Sequence, residues 1–77
     1  MSITTSTDVL VFRTNIRFKK DLRVVGTVLD KTPGVERWNV DREDTDKVLR
    51  IESRNTQPAD IIQIVTAAGF FCEELPE

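Results

Sequence analysis

The sequence predicts an α+β fold in two layers, a four-stranded antiparallel sheet with two helices on one face. Three observations lead there. The chain has 77 residues, enough for one domain and one thin core. Stretches rich in β-branched and aromatic residues alternate with two stretches whose apolar residues recur at helical spacing. The segments between them are short and carry Pro, Gly or charge, so neighbouring elements must pack side by side.

Residues 1–7 are rich in Ser and Thr and are expected to form a flexible leader, leaving 8–77 as a single domain. Asp8 to Thr14 reads as the first strand, with Val, Leu and Phe in close succession. From Asp21 to Lys31 apolar residues fall at Leu22, Val25, Val28 and Leu29, a helical stripe. Asp21 suits the first turn, where a negative charge meets the positive end of the helix dipole, and Pro33-Gly34 stops the helix. Val35 to Asp41 is a second strand with Trp38 and Val40 on one face. The polar run from Arg42 to Asp46 turns the chain, and Lys47 to Ser53 returns with Leu49 and Ile51 inward. Thr56 is the expected N-cap of a second helix with Pro58 in its first turn. Ile61, Ile64, Val65 and Ala68 form its buried stripe, Gly69 ends it, and Phe70 to Leu75 is the last strand. The order β-α-β-β-α-β at these lengths implies the ferredoxin-like sandwich.

Composition excludes several chemistries. With no His, no site can be built on imidazole. One Cys allows neither an intramolecular disulfide nor a multi-thiolate site within one chain, and the only Met is the first residue, which excludes a thioether copper(I) site. Eleven Lys and Arg against 13 Asp and Glu give a net charge of −2, which argues against a general binder of nucleic acid or membrane surfaces. No apolar run approaches the roughly 20 residues of a membrane span. Met1 to Leu10 has neither the basic start nor the apolar stretch of a secretory signal. The expected setting is cytoplasmic, and no motif implies a cofactor.

Phe12-Arg13-Thr14-Asn15-Ile16, the Pro33-Gly34-Val35 corner, Trp38-Asn39-Val40-Asp41, Asp46-Lys47-Val48-Leu49 and Ala67-Ala68-Gly69-Phe70 resemble the heavy-metal-associated (HMA) domain family. That family includes the small copper chaperones and the N-terminal modules of copper-transporting ATPases. The resemblance runs from Val9 to Leu75 and implies a Met-x-Cys-x-x-Cys metal motif after the first strand. Counting back from Gly34-Val35 with the family's helix length sets the motif on Ile16-Arg17-Phe18-Lys19-Lys20-Asp21. The Met position falls on Ile16 and the thiolate positions on Phe18 and Asp21. Phe cannot coordinate a metal, and one hard carboxylate beside two lysines is a poor site for copper(I) or zinc.

The resemblance therefore implies an HMA-like protein related to metal transport, with a degenerate CxxC, acting as a non-catalytic interaction or regulatory module. A first alternative is a copper or zinc homeostasis protein that holds metal only through another chain or partner, with Cys72 as the available thiol. A second is an acylphosphatase-like enzyme. Arg13, Asn15 and Arg17 echo the Arg and Asn of its phosphate loop, but the glycine-rich cradle is missing.

Five basic residues, Arg13, Arg17, Lys19, Lys20 and Arg23, crowd the segment around the start of the first helix. They are either a docking spot for an acidic partner or phosphate, or a solvated loop. Phe18 is expected to fill the end of the core, the other reading being an exposed anchor for a partner. Cys72 should face the helices as a small hydrophobe with a raised pKa. Asp41, Glu43, Asp44 and Asp46 lack the glycine and distal glutamate of a calcium loop and read as a hairpin turn. On the open sheet face, Val9, Val11, Val48 and Phe71 are expected to lie adjacent and form an apolar interface for a protein partner or a second copy.

Overall fold

The computed structural model describes residues 8–75; the leader expected at 1–7 lies outside them. Its elements are β1 (Asp8–Thr14), α1 (Lys19–Asp30), β2 (Val35–Asp41), β3 (Val48–Ser53), α2 (Pro58–Ala67) and β4 (Cys72–Glu74). The strands form one antiparallel sheet in the order β2-β3-β1-β4. This is the ferredoxin-like arrangement that the sequence implies.

Alternation along the strands sorts side chains between the two faces. Phe12, Leu49, Ile51 and Cys72 turn inward and meet Val25 and Leu29 of α1 and Ile61 and Val65 of α2; Ile16 closes one end of this core. Ile64 and Ala68, expected in the buried stripe of α2, are only half-buried at its flank. Close approach of α1 to the sheet depends on Gly26. A Cβ there would stand 2.9 Å from the Trp38 ring, whose Nε1–H donates to Asp30 Oδ1 at 3.0 Å. Gly34 is a second position where a side chain has no room. Its φ is +92°, and a Cβ would meet the Arg54 carbonyl oxygen at 2.7 Å.

Element ends differ from the sequence expectation for local reasons. Helix α1 begins at Lys19, two residues before Asp21, because Asp21 acts from the third helical position back on the loop. The N-cap of α2 is Gln57 rather than Thr56: the Thr56 hydroxyl is turned to the Arg54 carbonyl at 3.2 Å. Strand β3 begins after Lys47, whose φ of 47° belongs to the turn. Strand β4 is three residues long instead of six. Phe70 gives its N–H to Val65 to finish the helix exit, and Phe71 gives its own to the Asn15 side chain.

Candidate functional site

The loop between β1 and α1 is where the resemblance sets a metal motif, and its backbone and side chains close on each other. Thr14, buried at the end of β1, donates its hydroxyl to the Lys47 carbonyl at 2.5 Å and accepts the Ile16 N–H at 3.2 Å. One side chain thus ties the loop to the β2–β3 turn. Asn15 Oδ1 accepts the Phe71 N–H at 2.9 Å, fastening the loop to the approach of β4. Ile16 is fully buried. Asp21 Oδ2 then accepts the N–H groups of Arg17 at 3.2 Å and Phe18 at 3.1 Å, and the Arg17 carbonyl accepts from Arg42 Nη1 at 3.4 Å.

Phe18 corrects an expectation. It does not fill the core; it is 57% exposed. The core position belongs to Ile16, which continues the inward alternation of Leu10, Phe12 and Thr14. Phe18 is the N-cap of α1 with an extended backbone, which turns its ring outward. A phenyl ring accepts no N–H bond, so the cap is carried by Asp21 alone. Lys20 Nζ lies 5.8 Å from the ring centroid, within cation–π range.

The basic residues separate into two groups. Arg17, Lys19, Lys20 and Arg23 are exposed around the start of α1. Arg13 is on the open sheet face, paired with Asp46 at 3.4 Å and Glu73 at 3.3 Å. Arg13 and Asn15 therefore serve different partners and do not converge on one anion.

Cys72 sits opposite Thr14 on the helix-facing side of the sheet and is buried in the core. Desolvation raises its pKa from 9.0 to about 11, so the thiol is protonated at neutral pH and is a poor nucleophile. The acidic turn uses its own carboxylates: Asp41 accepts the Glu43 N–H at 3.2 Å, and Asp44 that of Asp46 at 2.7 Å. No cluster of three or more His, Cys, Asp or Glu with metal-binding placement occurs among the described residues.

On the open face, register spreads the four apolar residues. Val9 pairs with Glu52 and Val11 with Arg50, while Arg13 pairs with Glu73. Val48 lies beyond the Phe12–Leu49 rung, beside Arg13, and Phe71 lies past the start of β4, level with Asn15. Val9 is thus three alternate positions along β1 from Phe71, with Arg13 between them and Glu52 and Arg50 beside Val9 and Val11 on β3. Val9 and Val11 remain neighbours on β1 with Val48 diagonal to Val11, and Phe71 is set apart from them. Two shallow hollows of about 420 and 270 Å³ follow β2 and β3 on this side, lined mainly by Asn39, Arg50 and acidic residues. Neither is lined by a Ser, Thr, Cys or Lys.

Thr14, Asn15 and Arg42 were not singled out by composition or spacing as residues that shape this loop. Only Thr14 carried a usable signal, the strand alternation that puts it inward.

No family model matches the chain and no curated protein matches its sequence. Solved structures do match in shape. One, described as "Crosstalk between Cu(I) and Zn(II) homeostasis", superposes with a TM-score of 0.77 over 88% of this chain and 99% of its own, at 16% identity. The copper(I)-loaded form of the first domain of the human copper chaperone for SOD1 gives 0.75 over 91% of this chain and 94% of its own, at 13% identity. The likeness establishes the fold, a ferredoxin-like sandwich shared with a copper chaperone domain.

Proposed function

We propose that this chain is an HMA-like domain that has given up thiolate metal capture and works as a non-catalytic protein-interaction module. The observation that carries the reading is the closed β1–α1 loop. Where the resemblance sets two thiolates, Phe18 points to solvent and the Asp21 carboxylate is occupied by two backbone N–H groups. A carboxylate used as a helix cap is held in place by those bonds, and moving it to a metal would uncap the helix.

The outward Phe18, with Arg17, Lys19, Lys20 and Arg23 around it, offers an apolar anchor inside a basic rim. That combination suits an acidic protein surface, because aromatic anchors supply contact area and rim charge steers association. The reading assigns the domain to the cytoplasm, with a protein partner rather than nucleic acid or membrane. No helix among the described residues is long and apolar enough to cross a membrane. A link to copper and zinc homeostasis through a partner is the second reading, supported by what the two similar structures are. Burial of Cys72 speaks against that thiol as a bridging ligand.

Competition titration with copper(I) and with zinc tests the proposal. The wild type is expected to show no stoichiometric submicromolar binding, and such binding would overturn the reading. Phe18→Cys combined with Asp21→Cys is expected to gain one copper(I) per chain. Failure of that variant to bind would refute the assignment of the two positions.

A further inference from the structure

The two edges of the sheet are built differently. Strand β4 closes one edge with three residues, two of them Glu, a short charged edge of the kind that resists strand addition. Strand β2 forms the other edge over seven residues, Val35-Glu36-Arg37-Trp38-Asn39-Val40-Asp41, with no Pro and no Lys. Its irregular step lies between Val35 and Arg37, leaving Arg37 to Asp41 in even register.

The backbone groups that face outward along β2 follow from the ladder. Leu75 N–H bonds to the Val11 carbonyl at 2.9 Å, so odd residues of β1 turn their amides to β4 and even ones to β3. Phe12–Leu49 and Leu10–Ile51 are then bonded pairs, and Val48, Arg50 and Glu52 turn toward β2, bonding Asp41, Asn39 and Arg37. Trp38 and Val40 are left with their N–H and C=O directed away from the sheet.

The side chains of this edge complement themselves. With a second β2 laid antiparallel about a two-fold axis at Asn39, Trp38 faces the other copy's Val40 as a bonded pair, and Arg37 faces its Asp41. Both contacts occur twice. Arg37 makes no ion pair among the described residues, and the second oxygen of Asp41 remains beyond the Glu43 N–H bond. Glu36 and Arg42 lie outside the even part of the strand, and Glu36 keeps its own pair with Arg54. Sliding two residues one way brings Trp38 onto Trp38 and Arg37 onto Asn39. Sliding the other way brings Val40 onto Val40 and Asn39 onto Asp41, and leaves Arg37 past the end of the facing strand. Only the Asn39-centred register pairs Arg37 with Asp41.

We propose that β2 is a self-association edge: a second copy of this chain adds antiparallel through Trp38 and Val40, joining two four-stranded sheets into one. The surface is separate from the β1–α1 loop, so this inference stands whether or not that loop binds metal.

Sedimentation velocity over a concentration series tests it. The wild type is expected to dimerise. Arg37→Asp and Asp41→Arg, each alone, set like charges opposite one another twice and are expected to weaken dimerisation about tenfold. Mixed together, the two variants restore both pairs between unlike chains and are expected to recover association. A third variant, Val40→Pro, removes an outward N–H without touching the β2–β3 ladder and is expected to weaken association with circular dichroism unchanged. A wild type that stays monomeric at millimolar concentration overturns the proposal. So does a dimer indifferent to both charge changes, or a mixture that associates no better than its parts.

Discussion

Helices α1 and α2 enter the sandwich at opposite ends, and both entrances use an Asp at the third helical position. At the α1 end, Asp21 accepts two N–H groups at 3.1 and 3.2 Å. Thr14 gives and accepts a bond at once, Asn15 fastens the approach of β4, and Ile16 is driven into the core. At the α2 end, Asp60 accepts one N–H at 3.4 Å, the Thr56 hydroxyl turns back two residues to Arg54, and Ser53 Oγ is buried with no hydrogen-bond partner among the described residues. The chain concentrates its constraints at the α1 end. The α1 end is fixed by side chains from four segments, so the partner proposed for Phe18 would meet a surface already ordered, at little entropic cost.

The sharpest way to break that contrast is to remove the apolar pin. Ile16→Ala is expected to cost about 2–5 kcal/mol, the range for emptying a fully buried aliphatic site, read as a lower urea midpoint. Hydrogen exchange should quicken first at Arg17 and Phe18, whose N–H groups depend on the loop geometry. A cost below about 1 kcal/mol, the scale of a half-buried site, would show that the loop is not anchored through the core.

Part of this was legible in the sequence. All six elements and their order follow from periodicity and punctuation, and the alternation Leu10, Phe12, Thr14, Ile16 already pointed the last of these inward. Phe18 misled because an aromatic residue next to a core suggests burial, whereas its direction was settled by the N-cap backbone. The open face misled for a different reason. Alternation tells which side a residue faces, but the rung it occupies depends on register, and register moved Phe71 and Val48 away from Val9. The length of β4 was hidden too, because Phe70 and Phe71 look like strand residues while their N–H groups are committed to Val65 and Asn15.

Cys72 lies at the base of the same end, opposite Thr14. Its thiol ionises near pH 9.0 without burial and is pushed up to about 11 by burial. Between those values the unfolded chain has released the proton and the folded chain has kept it, so stability falls as pH rises through the window. The loss is on the order of 2–3 kcal/mol. It is fully absent below pH 9, and Cys72→Ala should lack it. Thermal midpoints of the two proteins recorded across this range should converge with rising pH if the Cys72→Ala protein begins lower. Parallel curves would mean that the base of the loop is wet.

The smallest effect separates the ends most cleanly, because it compares two buried hydroxyls. Thr14→Val keeps the shape of the side chain but leaves the Ile16 N–H and the Lys47 carbonyl without their partner. It is expected to cost about 1–2 kcal/mol, the penalty of orphaned buried groups. Ser53→Ala removes a hydroxyl that bonds to nothing among the described residues, so nothing loses a partner. Relieving that unpaired group is expected to leave stability unchanged or raise it by up to about 1 kcal/mol. Urea unfolding of both variants reads the two signs directly. If Ser53→Ala destabilises as much as Thr14→Val, the hydroxyl at the α2 end has a partner too, and the two ends are equally constrained.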